Sequence, residues 1–273
     1  METKKYALIT GASAGIGEAL AFELASRGYH LLLVARRRKD LERVCRETSA
    51  LYGVEAEAIV QDLLEDGAVD RIMDRLKEAA IVPLILVNNA AQAATGAFEN
   101  IAIDRQVDVL MLNMVRLTEL THAILPLMLE RSAGYVLNLS SILGVCPRPG
   151  AASYSATNSY VIQFSRALNM ELRHTGVRVT TVCPGTADTA SMDAPVPVKS
   201  RRGEERFRIA GIAVDRMFAG PTVAATTCRN RLFLLWLRPM RWLDRMRALF
   251  YKRSPQLSVA DSGEPVEETP LEA

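Results

Sequence analysis

Apolar residues in this chain fall into short continuous runs, separated by longer stretches in which they recur every three or four positions. The runs Tyr6–Thr10, His30–Ala35, Glu57–Val60, Leu84–Val87, Tyr135–Leu139 and Val177–Val182 are Leu-rich or β-branched, as expected of strands buried on both faces. The intervening stretches have the length of crossover helices. In the first of them Ile16, Ala19, Leu20 and Leu24 share a face, and Gly28 follows as a C-terminal cap. This alternation predicts an α/β fold built on a doubly wound parallel sheet, with a seventh short strand near Thr222–Thr227.

Three regions leave that rhythm. Residues 186–205, with Pro195, Pro197 and the cations Lys199, Arg201 and Arg202, read as a mobile flap between the sixth strand and the next helix. Residues 229–253 carry eight basic residues against one acid, with Leu232, Leu235, Trp236, Met240, Leu243, Met246 and Phe250 at roughly helical spacing. Pro239 breaks or kinks any single helix there. Residues 254–273 hold five acids, three prolines and no base, the composition of a disordered tail. The expected organisation is therefore one domain over 1–228, a basic amphipathic extension over 229–253 and an acidic tail over 254–273.

Composition narrows the function classes. At 49% hydrophobic residues the chain can bury a core, and a net charge of +2 is too balanced to argue for nucleic acid. Cys45, Cys146, Cys183 and Cys228 are far apart with no CxxC pair, which excludes a zinc ribbon or a disulfide scaffold and fits a reducing cytoplasm. His30, His122 and His174 have no metal-ligand spacing, so no metal is expected. No run approaches the roughly 18 apolar residues of a membrane-spanning helix. For 229–253, packing on the domain or on a subunit partner needs no further partner. Contact with an anionic membrane surface is the second reading, and nucleic acid is unlikely.

The segment Thr10-Gly11-Ala12-Ser13-Ala14-Gly15-Ile16-Gly17 links the first strand to the first helix. Such a loop lets the backbone turn tightly and brings a pyrophosphate onto free N–H groups at a helix N-terminus. Its spacing and context resemble the cofactor loop of the short-chain dehydrogenase/reductase family, and further residues agree in order. Asp62-Leu63 stands where the family contacts adenine. Asn88-Asn89-Ala90-Ala91 matches its NNAG motif except for Ala91. Asn113, the pair Ser140-Ser141, Tyr154 thirteen residues after Ser141, and Pro184-Gly185 with Thr189 complete the match, over about residues 5–228. The resemblance implies a Rossmann-like sheet of about seven strands. It also implies a nucleotide site of Gly11, Ser13, Gly15, Ile16, Gly17, Arg36, Asp62, Asn88, Tyr154, Asn158, Pro184, Gly185 and Thr189. A small carbonyl or alcohol substrate and a homo-oligomer follow from the same resemblance.

The second strand ends Val34-Ala35-Arg36-Arg37-Arg38, with no acid before Asp40. A guanidinium at Arg36 suits the 2′-phosphate of NADP(H), whereas Arg37 and Arg38 read as a solvated helix start. The catalytic set implied by the resemblance is Asn113, Ser141, Tyr154 and Asn158. In the family a lysine follows the tyrosine by four, binds the nicotinamide ribose and lowers the phenol's pKa. Here that position is Asn158, neutral and shorter, and Arg166 two turns further along the helix is too far to replace it. Two functions remain open: an NADP(H)-dependent carbonyl reductase or alcohol dehydrogenase, slowed by Asn158, and a non-redox NADP(H)-binding protein acting as a cyclase, isomerase or regulator. Cys146 and Arg148, in the loop before Tyr154, are candidate pocket residues.

Overall fold

The structure is a computed structural model, and it describes residues 4–185, 201–220 and 222–226. Thr189, most of the expected flap, the basic extension and the acidic tail lie outside the described residues. Seven parallel strands form one sheet: β1 (Tyr6–Thr10), β2 (His30–Ala35), β3 (Ala56–Val60), β4 (Ile85–Asn88), β5 (Gly134–Leu139), β6 (Val177–Cys183) and β7 (Val223–Ala225), in the order β3-β2-β1-β4-β5-β6-β7. The predicted strands lie within a residue or two of these bounds, the seventh included.

Helices α1 (Gly15–Ser26), α2 (Arg38–Tyr52) and α3 (Ala68–Glu78) cross between the first four strands. They are followed by α4 (Ile103–Leu110), a π-wound turn (Met111–Arg116), α5 (Leu117–Glu130), α6 (Ala152–Glu171) and α7 (Arg201–Ala219). The flap expectation over 186–205 therefore needs correction at its end, because residues 201–205 open α7. The apolar face of α7 (Ala210, Ala213, Val214 and Met217) is buried in the cluster that contains α1.

Neighbouring residues of a strand serve opposite cores, which explains the unbroken apolar runs. Ala7 and Ile9 pack with α1, α2 and α7, while Leu8 packs with Ile72 and Leu76 of α3 and Ile124 of α5. At the end of α1, Gly28 takes φ +82 and donates to the Ala25 carbonyl, and Tyr29 donates to that of Leu24. This left-handed cap is open to glycine at no steric cost, as the sequence indicated. Among the described residues no helix is long and apolar enough to cross a membrane.

Candidate active site

Strand order reverses between β1 and β4, and in open α/β sheets ligands bind beyond the C-terminal strand ends at such a crevice. The glycine loop occupies this place. Gly11 and Gly15 take φ +67 and +63, and no side chain caps the N-terminus of α1, so its first N–H groups face outward. Gly17 is required by space: a Cβ there would stand 2.2 Å from the Gly11 carbonyl oxygen and 2.4 Å from Asn89 Nδ2. The cradle thus combines an uncapped helix start with a helix brought tight against the loop, which fits a pyrophosphate.

Asn89 and Thr10 hold that loop, although of the Asn88-Asn89 pair the sequence reading placed only Asn88 in the nucleotide site. Asn89 Nδ2 donates to the Thr10 carbonyl at 3.0 Å and to that of Gly11 at 3.3 Å. Thr10 Oγ1 accepts the N–H groups of Asn89 and Ala90, each at 3.0 Å. Asn88 instead donates from Nδ2 to Thr121 Oγ1 (3.0 Å) and Asn138 Oδ1 (2.9 Å), stitching β4 to β5 and α5. Only its oxygens are left for a nucleotide.

At the end of β2, Arg36 is largely exposed and lies 3.9 Å from Asp62 Oδ2, too long for a hydrogen bond. Asp62 Oδ1 accepts the Leu64 N–H at 3.0 Å. Arg37 does not simply point into solvent as the sequence suggested: its Nη2 donates to Ser13 Oγ in the glycine loop at 3.3 Å, and its Nε lies 3.2 Å from Asp40. Arg37 and Ser13 therefore meet at one corner of the loop, while Arg36 faces Asp62. Pro184 lies at the end of β6 and accepts the Ile142 N–H at 3.0 Å, and Gly185 follows it.

Ser141 and Tyr154 meet where β5 and α6 converge. Ser141 is fully buried and its Oγ accepts the Leu143 N–H at 3.2 Å, which leaves the hydroxyl hydrogen to donate elsewhere. Tyr154 is 5% exposed and packs with Leu143 and Ala151. Burial pushes its phenol above the ordinary value of 10.0, and hydrogen bonding toward Asn158 and Ser141 offsets part of that rise. Asn158 Nδ2 donates to the Tyr154 carbonyl at 2.8 Å, so part of its amide is folded back on its own helix. Ser140 Oγ donates to the Asn158 carbonyl at 3.0 Å.

Asn113 is buried in the π-wound turn. Its Oδ1 accepts the Gln92 N–H and its Nδ2 donates to the Gln92 carbonyl, both at 2.9 Å. The same nitrogen reaches Thr157 Oγ1 at 3.1 Å, and Thr157 donates to the Tyr154 carbonyl at 2.9 Å. A side chain on one helix thus fixes both the loop after β4 and the turn that carries the tyrosine. Periodicity cannot reveal a π-turn, which differs from an α-helix by one inserted residue. Cys146 is half-buried and Arg148 exposed in the loop between Ser141 and Tyr154, which is tied at Gly150 O to Gly96 N, 3.0 Å away. Burial pushes the Cys183 thiol up to about 12 and the Cys45 thiol up to about 11, so neither is a ready nucleophile.

Comparison with known proteins agrees with this geometry. A family model described as short chain dehydrogenase matches residues 5–197. The chain is 36% identical to a very-long-chain 3-oxoacyl-CoA reductase of Anas platyrhynchos over 92% of its length and 80% of that protein's. It is 38% identical to sulfoacetaldehyde reductase 2 of Chromohalobacter salexigens, covering 67% of this chain and 72% of the relative. Among solved structures it is similar to a short-chain dehydrogenase from Sphingobium yanoikuyae in complex with NADPH. That match has a TM-score of 0.74 and 28% identity, and it covers 94% of this chain and 99% of the other.

Proposed function

Because the chain belongs to the short-chain dehydrogenase family of oxidoreductases, we propose that it is an NADP(H)-dependent carbonyl reductase or alcohol dehydrogenase acting at Tyr154. The observation that carries this reading is a buried phenol, kept protonated by desolvation, facing a serine whose oxygen already accepts a backbone N–H. Bound NADP(H) supplies or accepts the hydride. In the reducing direction the Ser141 hydroxyl donates to the substrate carbonyl oxygen and polarises it. Tyr154 then gives its proton to that oxygen as the alcohol forms. Asn113 acts indirectly by holding Gln92 and Thr157, and Asn158 offers a neutral amide beside the phenol.

The residues that would hold the dinucleotide are the free amides of Gly15, Ile16 and Gly17, with Ser13 and Arg36 at the 2′-phosphate and Asp62 at the adenine. Arg37 joins them, because it already reaches Ser13. The related structure with NADPH supports the phosphorylated cofactor. NADPH should bind more than tenfold tighter than NADH, since a charge-assisted contact contributes roughly 1.5–3 kcal/mol. Fluorescence titration of both nucleotides checks this, and Arg36→Asp should reverse the preference. Equal affinities in the unmodified protein remove Arg36 from the site.

One observation favours the non-redox reading. Asn158 is partly engaged with its own helix and offers Tyr154 a hydrogen bond but no positive charge to stabilise a phenolate. Turnover of a ketone panel with NADPH, alongside Tyr154→Phe, separates the two readings. Loss of turnover with retained nucleotide affinity in the variant supports the reductase. No turnover in either protein supports the binder.

A further inference from the structure

Arg116 is a deeply buried cation that the chemistry above does not use. It closes the π-wound turn three residues after Asn113 and is 8% exposed. Its Nη1 donates to Glu119 at 2.8 Å, on its own helix side. Its Nη2 crosses to the loop after β3, donating to the Glu65 carbonyl at 3.3 Å and lying 3.7 Å from Asp66 Oδ1. Its Nε is buried with no partner. A buried guanidinium that leaves one N–H unpaired is a poor choice for stability alone. Its bridging geometry is what sets it apart.

The loop it holds begins at Asp62. That loop is also clamped from its own helix by Arg71, whose Nε donates to Gln61 Oε1 at 2.8 Å and whose Nη2 donates to Glu65 at 2.9 Å. Arg71 is a local and half-exposed tie, whereas Arg116 spans fifty-one residues of chain. From Arg116 the path runs along the π-wound turn itself to Asn113, three residues earlier. Asn113, on the same turn, holds the Gln92 amide and Thr157, and Thr157 holds the Tyr154 carbonyl.

We propose that Arg116 is a positioning residue that couples the adenine-side loop 62–66 to the Asn113–Gln92–Tyr154 constellation, so that nucleotide bound at that loop orders the catalytic turn. The proposal rests on the dinucleotide reading above. The coupling is carried by a rigid turn with ends in both sites, and Asn113 and Arg116 are those ends.

The test uses adenosine 2′,5′-bisphosphate, a fragment too short to reach Gln92 or Tyr154, with amide hydrogen exchange of the full chain as the readout. In the unmodified protein the fragment should slow exchange in peptides covering 64–66. It should also slow exchange at Gln92 and at 154–158, about fivefold or more, the usual range of coupling between sites. In Arg116→Gln the slowing at 64–66 should remain and the remote slowing should vanish. Arg71→Gln, which breaks only the local tie, should keep both. Arg116→Lys covers the case in which the glutamine variant does not fold: it keeps the charge, but one ammonium cannot span Glu119 and Glu65, so remote slowing should again be lost. Remote slowing that persists in a folded Arg116 variant overturns the coupling and leaves the dinucleotide reading standing. So does its absence from the unmodified protein when 64–66 is protected. No protection at 64–66 in the unmodified protein overturns both.

Discussion

The glycine loop and the Tyr154 turn lie at the C-terminal edge of one sheet, yet they are specified by different physics. The loop is made of backbone: positive φ at Gly11 and Gly15, a Gly17 with no room for a Cβ, and an uncapped helix start. The Tyr154 turn is made of side chains whose hydrogen bonds set one pKa, with burial pushing it up and Asn158 and Ser141 pulling it back. A backbone device tolerates no partial version of itself. A side-chain device can hold its shape around a neutral member, and Asn158 is one.

The sharpest way to break that comparison is Asn158→Lys. A cation beside Tyr154 favours the phenolate and improves proton transfer, so carbonyl reduction should rise by about 10²–10⁴-fold if the rest of the constellation is ready. The pH dependence should move with it. Alcohol oxidation needs the deprotonated phenol, and burial holds that pKa above the ordinary value, so in the unmodified protein the rate should still be climbing at pH 10. In the lysine variant the rising limb should shift to lower pH. A variant no faster than its parent, with an unmoved pH profile, shows that charge at this position does not limit the chemistry.

Next in size are the glycines. Gly17→Ala forces a methyl against the Gly11 carbonyl and Asn89, and overpacking of this kind costs about 1–3 kcal/mol or more. Denaturant unfolding should show that loss, together with loss of nucleotide binding. Gly15→Ala meets nothing within 4 Å and is opposed only by its φ of +63, a cost of about 1–2 kcal/mol. Its nucleotide affinity should survive better than that of the Gly17 variant. The reverse order would mean that loop conformation, and not helix approach, limits the cradle.

Much of this was legible in the sequence, because strands buried on both faces leave continuous apolar runs and a strand–glycine–helix segment leaves fixed spacings. The seven strands could be read in that way, and the family resemblance implied the pairing of Ser141 with Tyr154. Arg37 could not, since an arginine at a helix start looks solvated until the chain brings Ser13 beneath it, twenty-four residues away. Asn88 and Asn89 are adjacent and chemically identical, so only strand pleat reveals which stitches the sheet and which holds the loop. Arg116 was invisible because its partners come from a loop some fifty residues earlier and its turn is π-wound.

The smallest effect tests whether the two regions are separable at close range. Ser140 Oγ donates to the Asn158 carbonyl, and Ser159 Oγ donates to the Gly144 carbonyl at 2.7 Å, so two hydroxyl ties hold α6 to the turn after β5. Ser140→Ala removes one of them at a cost of about 1 kcal/mol, which corresponds to roughly fivefold in rate if the Tyr154 turn loosens. Ser140 makes no hydrogen bond to the glycine loop, and the coupling through Arg116 and Asn113 bypasses it. Turnover should therefore fall a few-fold while NADPH affinity and the preference over NADH stay unchanged. If affinity falls in step with turnover, the side-chain region supports the backbone cradle directly, and the division between a rigid binding half and an adjustable chemical half does not hold.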